Sequence, residues 1–168
     1  MKKVFLILAL AFAGIFTANA QVWVGGGLGA NLQKNQTGFT LAPEIGYMIP
    51  NTPFTLALGT VYNYQNIKEV GSSNALALEP YFRYAPCTIA DKFVLFFDLT
   101  ADINLIDATP HHAYAIMVQP GIAWMATDKW TAAFRFGKVG YDHNFYGTNG
   151  FLLNCDLAAP MIRIYYNF

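Results

Sequence analysis

The sequence predicts an all-β protein: an eight-stranded antiparallel up-and-down transmembrane β-barrel, preceded by a cleaved signal peptide. Apolar side chains alternate with small or polar ones along most of the chain, and a repeat of hairpin length recurs four times. The N-terminus has the pattern of an export signal. Because side chains of an extended strand point to opposite faces with a period of two, this alternation indicates strands with one apolar face.

The first 20 residues have the three parts of an export signal. Met1-Lys2-Lys3 is basic, Val4 to Phe16 is apolar, and Thr17-Ala18-Asn19-Ala20 ends in the Ala-x-Ala pattern of a signal-peptidase site. The apolar run is shorter than the roughly 20 residues that span a membrane as a helix. We therefore expect residues 1–20 to be removed and residues 21–168 to form one outer-membrane β-barrel domain.

The composition is more apolar than that of an ordinary soluble domain. The chain is 55% hydrophobic and 12% charged, whereas soluble domains carry about 25% charged residues. No apolar segment of helix length follows the signal, so the low charge favours a barrel that crosses a membrane with strands. Without Lys2 and Lys3 the net charge is about −2, which argues against nucleic acid as a partner.

Extended segments bounded by turn residues fill the mature chain. They are predicted at 21–32, 38–49, 54–65, 74–85, 92–105, 113–126, 130–141 and 150–168. The links after the even-numbered segments are short, whereas those near 66–73 and 142–149 are longer, as in outer-membrane barrels with short periplasmic turns. An even number of strands then places both termini on the periplasmic side.

The repeated prolines conflict with a closed barrel. Pro43, Pro80, Pro120 and Pro160 are spaced by 37, 40 and 40 residues, and each lies within a predicted strand. Proline cannot donate to a sheet ladder, and every strand of a closed barrel is paired on both sides. We therefore expect a β-bulge or a local kink at each proline.

The two cysteines are predicted to remain unpaired. Cys87 falls in a predicted turn and Cys155 lies well within the last segment, so strand geometry separates them by roughly 30 Å along the barrel. A disulfide requires Cα atoms within about 7 Å of each other.

The apolar face of the strands is predicted to point outward. It carries far more bulky side chains than the roughly twelve that fill an eight-stranded interior, and only lipid accommodates so many. The opposite face is small, polar or charged, with Phe96, Met117 and Val139 as exceptions. We therefore expect outer-membrane lipid as a partner. A soluble lipocalin-like carrier, with its apolar face inward, is the disfavoured alternative.

Charged and polar residues of the inner face recur at similar heights on neighbouring strands. We expect them to form a pairing layer across the lumen, with Arg83 below it and Asp102 above it. The predicted lumen charge layer comprises Glu44, Glu79, Arg83, Asp98, Asp102, Gln119, Arg135 and Arg163. Such a layer either plugs the lumen or forms an ion path, and the filled interior of small barrels favours the plug.

Aromatic residues cluster beside the predicted short turns. They predict a periplasmic girdle at the membrane interface, formed by Tyr47, Phe54, Tyr84, Phe93, Trp124 and Trp130. A looser belt is predicted at the other end, formed by Tyr62, Tyr64, Tyr114, Tyr141, Phe145 and Tyr146.

Candidate catalytic and ligand-binding side chains follow no known motif. Those that fall in predicted outer loops are Ser72, Ser73, His111, His112, Asp142 and His143. No local pattern holds a nucleophile beside an oriented base, and adjacent histidines suit no common metal-ligand spacing. The glycines of Val24–Ala30 lack the Lys-Ser/Thr of a phosphate-binding loop. We therefore expect no catalytic residues, no cofactor and no metal.

The chain ends on the alternating pattern Ile162-x-Ile164-x-Tyr166-x-Phe168. With the strand alternation and the signal peptide, this pattern resembles the small outer-membrane β-barrels of the OmpX and OmpA-transmembrane-domain kind. It is also similar to the porin-like outer membrane protein β-barrel domain families of Gram-negative bacteria. The resemblance implies a place in the bacterial outer membrane and recognition of Ile162, Ile164, Tyr166 and Phe168 by the barrel-assembly machinery.

Two kinds of function remain open at this point. One is a non-enzymatic barrel with a plugged lumen and a structural or surface-interaction role through loops near 66–73, 107–112 and 142–149. The other is a narrow porin-like channel for ions or small solutes. The sequence identifies no surface ligand.

Overall fold

The structure, a computed structural model, describes residues 21–33, 36–68, 71–106, 113–155 and 161–168. The strands are β1 (Val22–Gln33), β2 (Gln36–Met48), β3 (Phe54–Ile67), β4 (Gly71–Ile89), β5 (Phe93–Ile106), β6 (Tyr114–Met125), β7 (Trp130–Arg135), β8 (Lys138–His143), β9 (Asn149–Asn154) and β10 (Ile162–Asn167). Within these ranges no helix is long and apolar enough to cross a membrane. The predicted signal peptide (1–20), His111, His112 and Pro160 lie outside the described residues.

The strands form one closed antiparallel barrel. Each strand from β1 to β6 pairs with the next, and β1 pairs with β10 from Trp23 opposite Asn167 to Leu28 opposite Ile162. Strand β6 pairs with β7 along 121–125 and with β8 along 115–118. Because β10 pairs with β7 and β9 pairs with β8, these four are halves of two wall strands. The predicted eight-stranded barrel is confirmed.

Short links at 49–53, 90–92 and 126–129 define what we call the short-turn end, and the opposite end is the loop end. Strand β4 extends further towards the short-turn end than predicted, so Cys87 lies in a strand opposite Leu95. The prediction of a turn at Cys87 was wrong because a register shift between Tyr84 and Cys87 absorbs the proline at 86 within the sheet. Cys87 and Cys155 are both free thiols, as predicted.

The prolines interrupt the ladder in two different ways. Pro43 and Pro80 keep their pairing to one neighbouring strand and skip it on the other, with no change of register. At these two positions a local gap in the ladder accommodates the missing N–H without a bulge, and the local kink, which was the other predicted form, stays a prediction. Opposite Pro120 the register does change, since β7 ends at Arg135 and β8 resumes at Lys138. A bulge at that proline is confirmed.

The bulge between β7 and β8 reverses the alternation of the seventh wall strand. Gly137 has a φ of 77°, a conformation that favours glycine. Beyond it Val139 lies opposite Val118, an exposed residue, and directly opposed residues of a sheet share a face. The inward placement predicted for Val139 was therefore wrong, and Lys138 lines the lumen instead.

The apolar face of the wall points outward. Leu28 is 72% and Phe151 75% exposed, and large apolar side chains are exposed around the whole barrel. Soluble proteins rarely expose contiguous apolar patches above a few hundred Å². The small and polar face points inward, and the exceptions Phe96 and Met117 are buried there. The interior therefore contains most of the buried charge.

Candidate functional site

Aromatic side chains fill the lumen near its short-turn end. Trp23, Tyr81, Phe96 and Tyr165 belong to one buried cluster. The Trp23 and Tyr165 rings lie 4.4 Å apart between centroids, at an interplanar angle of 52°. These rings come from inward positions near the short-turn ends of their strands, and the interior of an eight-stranded barrel is just wide enough for such side chains to fill.

Glycines on the inner face make room for these rings. A Cβ at Gly46 would overlap the Trp23 ring, and one at Gly121 would overlap the Phe96 ring. Within the glycine-rich stretch of β1, a Cβ at Gly25 would meet the backbone and ring of Tyr165. These glycines therefore serve packing in the lumen, which agrees with the absence of a phosphate-loop signature.

Buried ion pairs cross the lumen next to the aromatic cluster. Arg83 donates to both oxygens of Asp98, at 2.7 Å from Nε and 2.8 Å from Nη2. Arg135 donates from Nε to Asp98 and from Nη1 to Glu79, each at 2.7 Å. Strands β4, β5 and β7 are thereby joined through the interior.

Arg163 extends this chain of charges to a fourth and a fifth strand. Its Nη1 lies 3.0 Å from Glu79 Oε1 and 2.8 Å from Glu44 Oε2. The Tyr81 hydroxyl also donates to Glu44 Oε2, at 2.7 Å. Three carboxylates and three guanidiniums thus alternate in one network, so their formal charges cancel. We call it the six-charge network: Arg83, Asp98, Arg135, Glu79, Arg163 and Glu44.

Two guanidinium groups also lie against aromatic rings. The Arg83 guanidinium carbon is 3.9 Å from the centre of the Phe96 ring, and that of Arg135 is 4.6 Å from the Tyr81 ring. A buried cation gains from the negative face of such a ring. This contact gives the buried Phe96 ring a cationic partner on the inner face.

Two members of the predicted charge layer are not part of the six-charge network. Gln119 donates to the Thr100 hydroxyl at 3.0 Å. Asp102 accepts a hydrogen bond of 2.5 Å from the Tyr146 hydroxyl through Oδ2, and makes no ion pair among the described residues. Arg83, which was expected below the layer, is a full member of it.

A turn at the loop end lies over the lumen. Asp142 holds this turn, since its carboxylate accepts hydrogen bonds from the backbone N–H groups of Phe145, Tyr146 and Thr148 and from the Thr148 hydroxyl. The turn places the Tyr146 ring 3.3 Å from Lys138 Nζ, measured to the ring centre. Neither Lys138 nor Tyr146 was predicted as a lumen residue.

A cavity of about 360 Å³ lies between this turn and the six-charge network. We call it the loop-end cavity. Its charged lining residues are Glu79, Asp102, Arg135, Lys138 and Arg163. Its remaining lining residues are Thr40, Val61, Asn63, Ala77, Gln119, Gly137, Phe145, Tyr146, Asn154 and Met161.

Two of the side chains considered as catalytic candidates, Asp142 and His143, have other contacts. Asp142 is engaged by the turn described above, and His143 Nδ1 lies 3.2 Å from the Asn149 side-chain oxygen. Ser72 and Ser73 are exposed at the loop end of β4. In the described part of the chain, no group of three or more histidine, cysteine or acidic residues could hold a metal ion.

The predicted aromatic girdle lies at the short-turn end. Two of its members, Phe54 and Tyr84, lie 5.3 Å apart between ring centroids in a tilted arrangement, and Trp130 meets Tyr166 of the last strand edge-on at 5.0 Å. Exposed members of that end include Phe93 and Trp124, which are paired across β5 and β6. The remaining girdle residue is Tyr47, opposite both Val22 and Leu56.

The C-terminal strand closes the barrel with an apolar outer face. Ile162 and Ile164 are exposed, Tyr166 is half-buried, and the Phe168 ring lies 5.3 Å from that of Tyr166. Phe168 also donates its backbone N–H to Val22 at 3.2 Å.

A closed eight-stranded antiparallel barrel with an apolar outside and a charged inside has the fold of the small outer-membrane β-barrels. The class predicted from the sequence is thereby confirmed. The chain is similar to outer membrane protein W of E. coli, whose solution NMR structure matches it with a TM-score of 0.51 at 10% sequence identity, covering 89% of this chain and 98% of that one. At this identity the likeness shows the fold alone. No family model matches the chain, and no curated protein matches it by sequence.

Proposed function

We propose that this chain is a non-enzymatic integral protein of the bacterial outer membrane, whose lumen is plugged by its own polar and charged side chains. Its role is structural, or interaction at the cell surface through loops near 66–73, 107–112 and 142–149. The observation that carries the proposal is the six-charge network, which bridges five wall strands and has no net formal charge.

The membrane location is supported by the outer surface of the barrel. Strands β5 and β6 have 14 and 12 residues, whereas a transmembrane strand needs about 9–11. Lipid lowers the free energy of the exposed leucine, isoleucine and phenylalanine side chains, and aromatic residues favour the interface. Short turns are periplasmic in such barrels. The termini are then periplasmic, and residues 1–20 are a cleaved export signal. The barrel-assembly machinery recognises the last strand.

The plug is supported by the ion pairs, since every member of the six-charge network makes at least one. An ion crossing the lumen would have to break ion pairs of 2.7–3.0 Å that are largely shielded from water. Leaving one partner of a buried pair without its counter-charge costs about 3–5 kcal/mol. The aromatic cluster next to these pairs adds a second, apolar obstruction.

Single-channel recording tests this proposal. The refolded mature protein, inserted into a planar bilayer in concentrated KCl, should give no resolved unitary conductance. The variant Glu79→Ala/Arg135→Ala removes two central side chains together and should give discrete openings, because it keeps the charge balance while widening the lumen. Lys129→Ala, at the exposed short-turn end, is the matched control and should stay silent.

The alternative is a narrow channel for ions or small solutes. The loop-end cavity favours it, because a space of about 360 Å³ already lies inside the barrel next to the six-charge network. Stable unitary conductance of the wild-type protein, unchanged in Glu79→Ala/Arg135→Ala, would establish the channel and overturn the plug.

A further inference from the structure

The turn at residues 144–148, between β8 and β9, is closed on itself by hydrogen bonds. The Asp142 carboxylate accepts hydrogen bonds from three backbone N–H groups of this turn and from the Thr148 hydroxyl, at 2.6–3.1 Å. The Asn144 N–H also donates to the Thr148 carbonyl oxygen, at 2.6 Å. Because these bonds lie within the turn and its anchoring aspartate, a displacement of the turn need not break them.

Tyr146 ties this turn to a wall strand that does not pair with β8. Its hydroxyl donates to Asp102 Oδ2 on β5 at 2.5 Å, and Lys138 Nζ lies 3.3 Å from the centre of its ring. Strand β6 separates β5 from β8, with Ala115 opposite both Asp102 and Asp142. The Tyr146 side chain therefore reaches across β6. Its bond to a carboxylate is of the charge-assisted kind, which is stronger than a bond between neutral groups.

The outer side of the turn is open. Tyr146 is 38% exposed, although its hydroxyl bonds to Asp102, which is 2% exposed. A Cβ at Gly147 or at Gly150 would meet no described atom within 4 Å. Segments that make few packed contacts open at a lower free energy than the rest of a structure. The turn therefore has space to move away from the lumen.

Phe145 and Tyr146 of this turn line the loop-end cavity, whose volume is about 360 Å³. We propose that residues 144–148 form a lid over the loop-end cavity, and that the hydrogen bond from Tyr146 to Asp102 is the latch that holds the lid closed. When this bond breaks, the turn moves outward as a unit and the cavity opens to solvent at the loop end. The lid controls entry into the cavity, whereas the proposed plug closes the lumen beneath it.

Thiol labelling measures how often the lid opens. The reporter is Val61→Cys in the cavity lining, combined with Cys87→Ser and Cys155→Ser because both native thiols are exposed. This parent protein, refolded into lipid nanodiscs, is treated with a positively charged methanethiosulfonate reagent, and the second-order rate is followed by mass spectrometry. We expect the parent to react much more slowly than the exposed Cys155 in a Cys87→Ser protein.

Variants of the parent assign the closure to the latch. Tyr146→Phe removes only the hydroxyl, and labelling should become at least about tenfold faster because a hydrogen bond to a charged group is lost. Asp102→Ala should give a similar gain, and the double variant should be no faster than either, since both changes remove the same bond. Tyr141→Phe is the matched control, because its hydroxyl bonds to Asn149 on the exposed surface of the same hairpin, at 3.4 Å. It should label as the parent does, and all variants should keep heat-modifiable electrophoretic mobility.

Amide hydrogen exchange tests whether the lid moves as a unit. The N–H groups of Tyr146 and Thr148 are bonded to Asp142 within the turn. In Tyr146→Phe the exchange rates of residues 146 and 148 should stay within about twofold of the parent, because the turn remains closed on itself while it moves. Exchange that accelerates together with labelling would mean that the turn unfolds, and would overturn the lid.

Two further results would overturn the proposal: labelling of the parent as fast as that of exposed Cys155, or equal labelling rates in the parent and in Tyr146→Phe. Conductance of the same preparations keeps these outcomes distinct from the proposed function. A silent barrel whose labelling does not depend on Tyr146 removes only the lid. A conducting barrel whose labelling still depends on Tyr146 removes only the plug.

Discussion

Arg135 and Glu79 meet across the barrel interior with Nη1 and Oε1 2.7 Å apart. They belong to β7 and β4, which are not neighbours in the wall. The pair therefore links two wall strands through the interior. Each partner also makes a second ion pair, Arg135 with Asp98 and Glu79 with Arg163. Because each of these side chains makes two ion pairs, the network couples wall strands that do not pair directly through their backbones.

Replacing Arg135 with alanine should destabilise the barrel by about 3–5 kcal/mol, because three buried carboxylates are then left with two guanidiniums. The measurement is the free energy of unfolding in urea, for protein folded into lipid vesicles. Lys129→Ala, an exposed lysine, should change it by less than about 0.5 kcal/mol.

The double variant Glu79→Gln/Arg135→Gln tests whether charge imbalance causes this loss. It restores neutrality, so its destabilisation should be smaller than the sum for Glu79→Gln and Arg135→Gln by about 0.5–3 kcal/mol. Additive effects would mean that the two side chains act independently.

Gly121→Ala should destabilise the barrel by about 1–3 kcal/mol, since the new methyl group overlaps the Phe96 ring and forces the aromatic cluster to shift. Near-UV circular dichroism should report the altered ring packing. Gly59→Ala is the matched control, because its Cβ would meet no atom closer than 3.4 Å. Equal losses in both variants would show that backbone freedom, and not ring packing, dominates.

Deleting Phe168 should lower the yield of folded protein in the outer membrane, as the resemblance to assembled barrels implies. The measurement is heat-modifiable protein in the membrane fraction of expressing cells. Refolding of the same variant into lipid vesicles should proceed almost normally, because the residue lies at the end of the barrel, beyond the last paired position of β10. Phe151→Ala, which removes a 75% exposed ring from the loop-end half, controls for lost apolar surface. Normal yield in cells would contradict a role of Phe168 in assembly.

The strand alternation predicted the wall of this barrel because a period of two directly reports which side chains share a face. Glu44, Asp98 and Arg163 could be assigned to the lumen from parity alone. Their pairing could not be predicted, because it depends on strand tilt and stagger, which the sequence does not encode locally. The parity rule also failed beyond Gly137, where one bulge reverses every later side chain of that strand.

The loop-end residues show a second limit of sequence reasoning. Tyr146 was expected in an aromatic belt, but its hydroxyl bonds to Asp102, 44 positions away in the chain. A turn held by Asp142 sets that direction. The sequence around this turn predicted a loop but not the directions of its side chains. Lys138 and Tyr146 were therefore not predicted to line the cavity.

The outward orientation of the apolar face is tested most directly by the three tryptophans. Trp23 is 4% exposed inside the lumen, whereas Trp124 and Trp130 are 48% and 50% exposed on the outside. We therefore measure quenching of tryptophan fluorescence by lipids brominated on the acyl chain, in the wild type and in Trp124→Phe/Trp130→Phe. Strong quenching of the wild type and almost none of the variant, which retains only Trp23, is the predicted result. Quenching of the Trp23 emission as strong as that of the wild type would contradict an apolar face turned to lipid around a closed lumen.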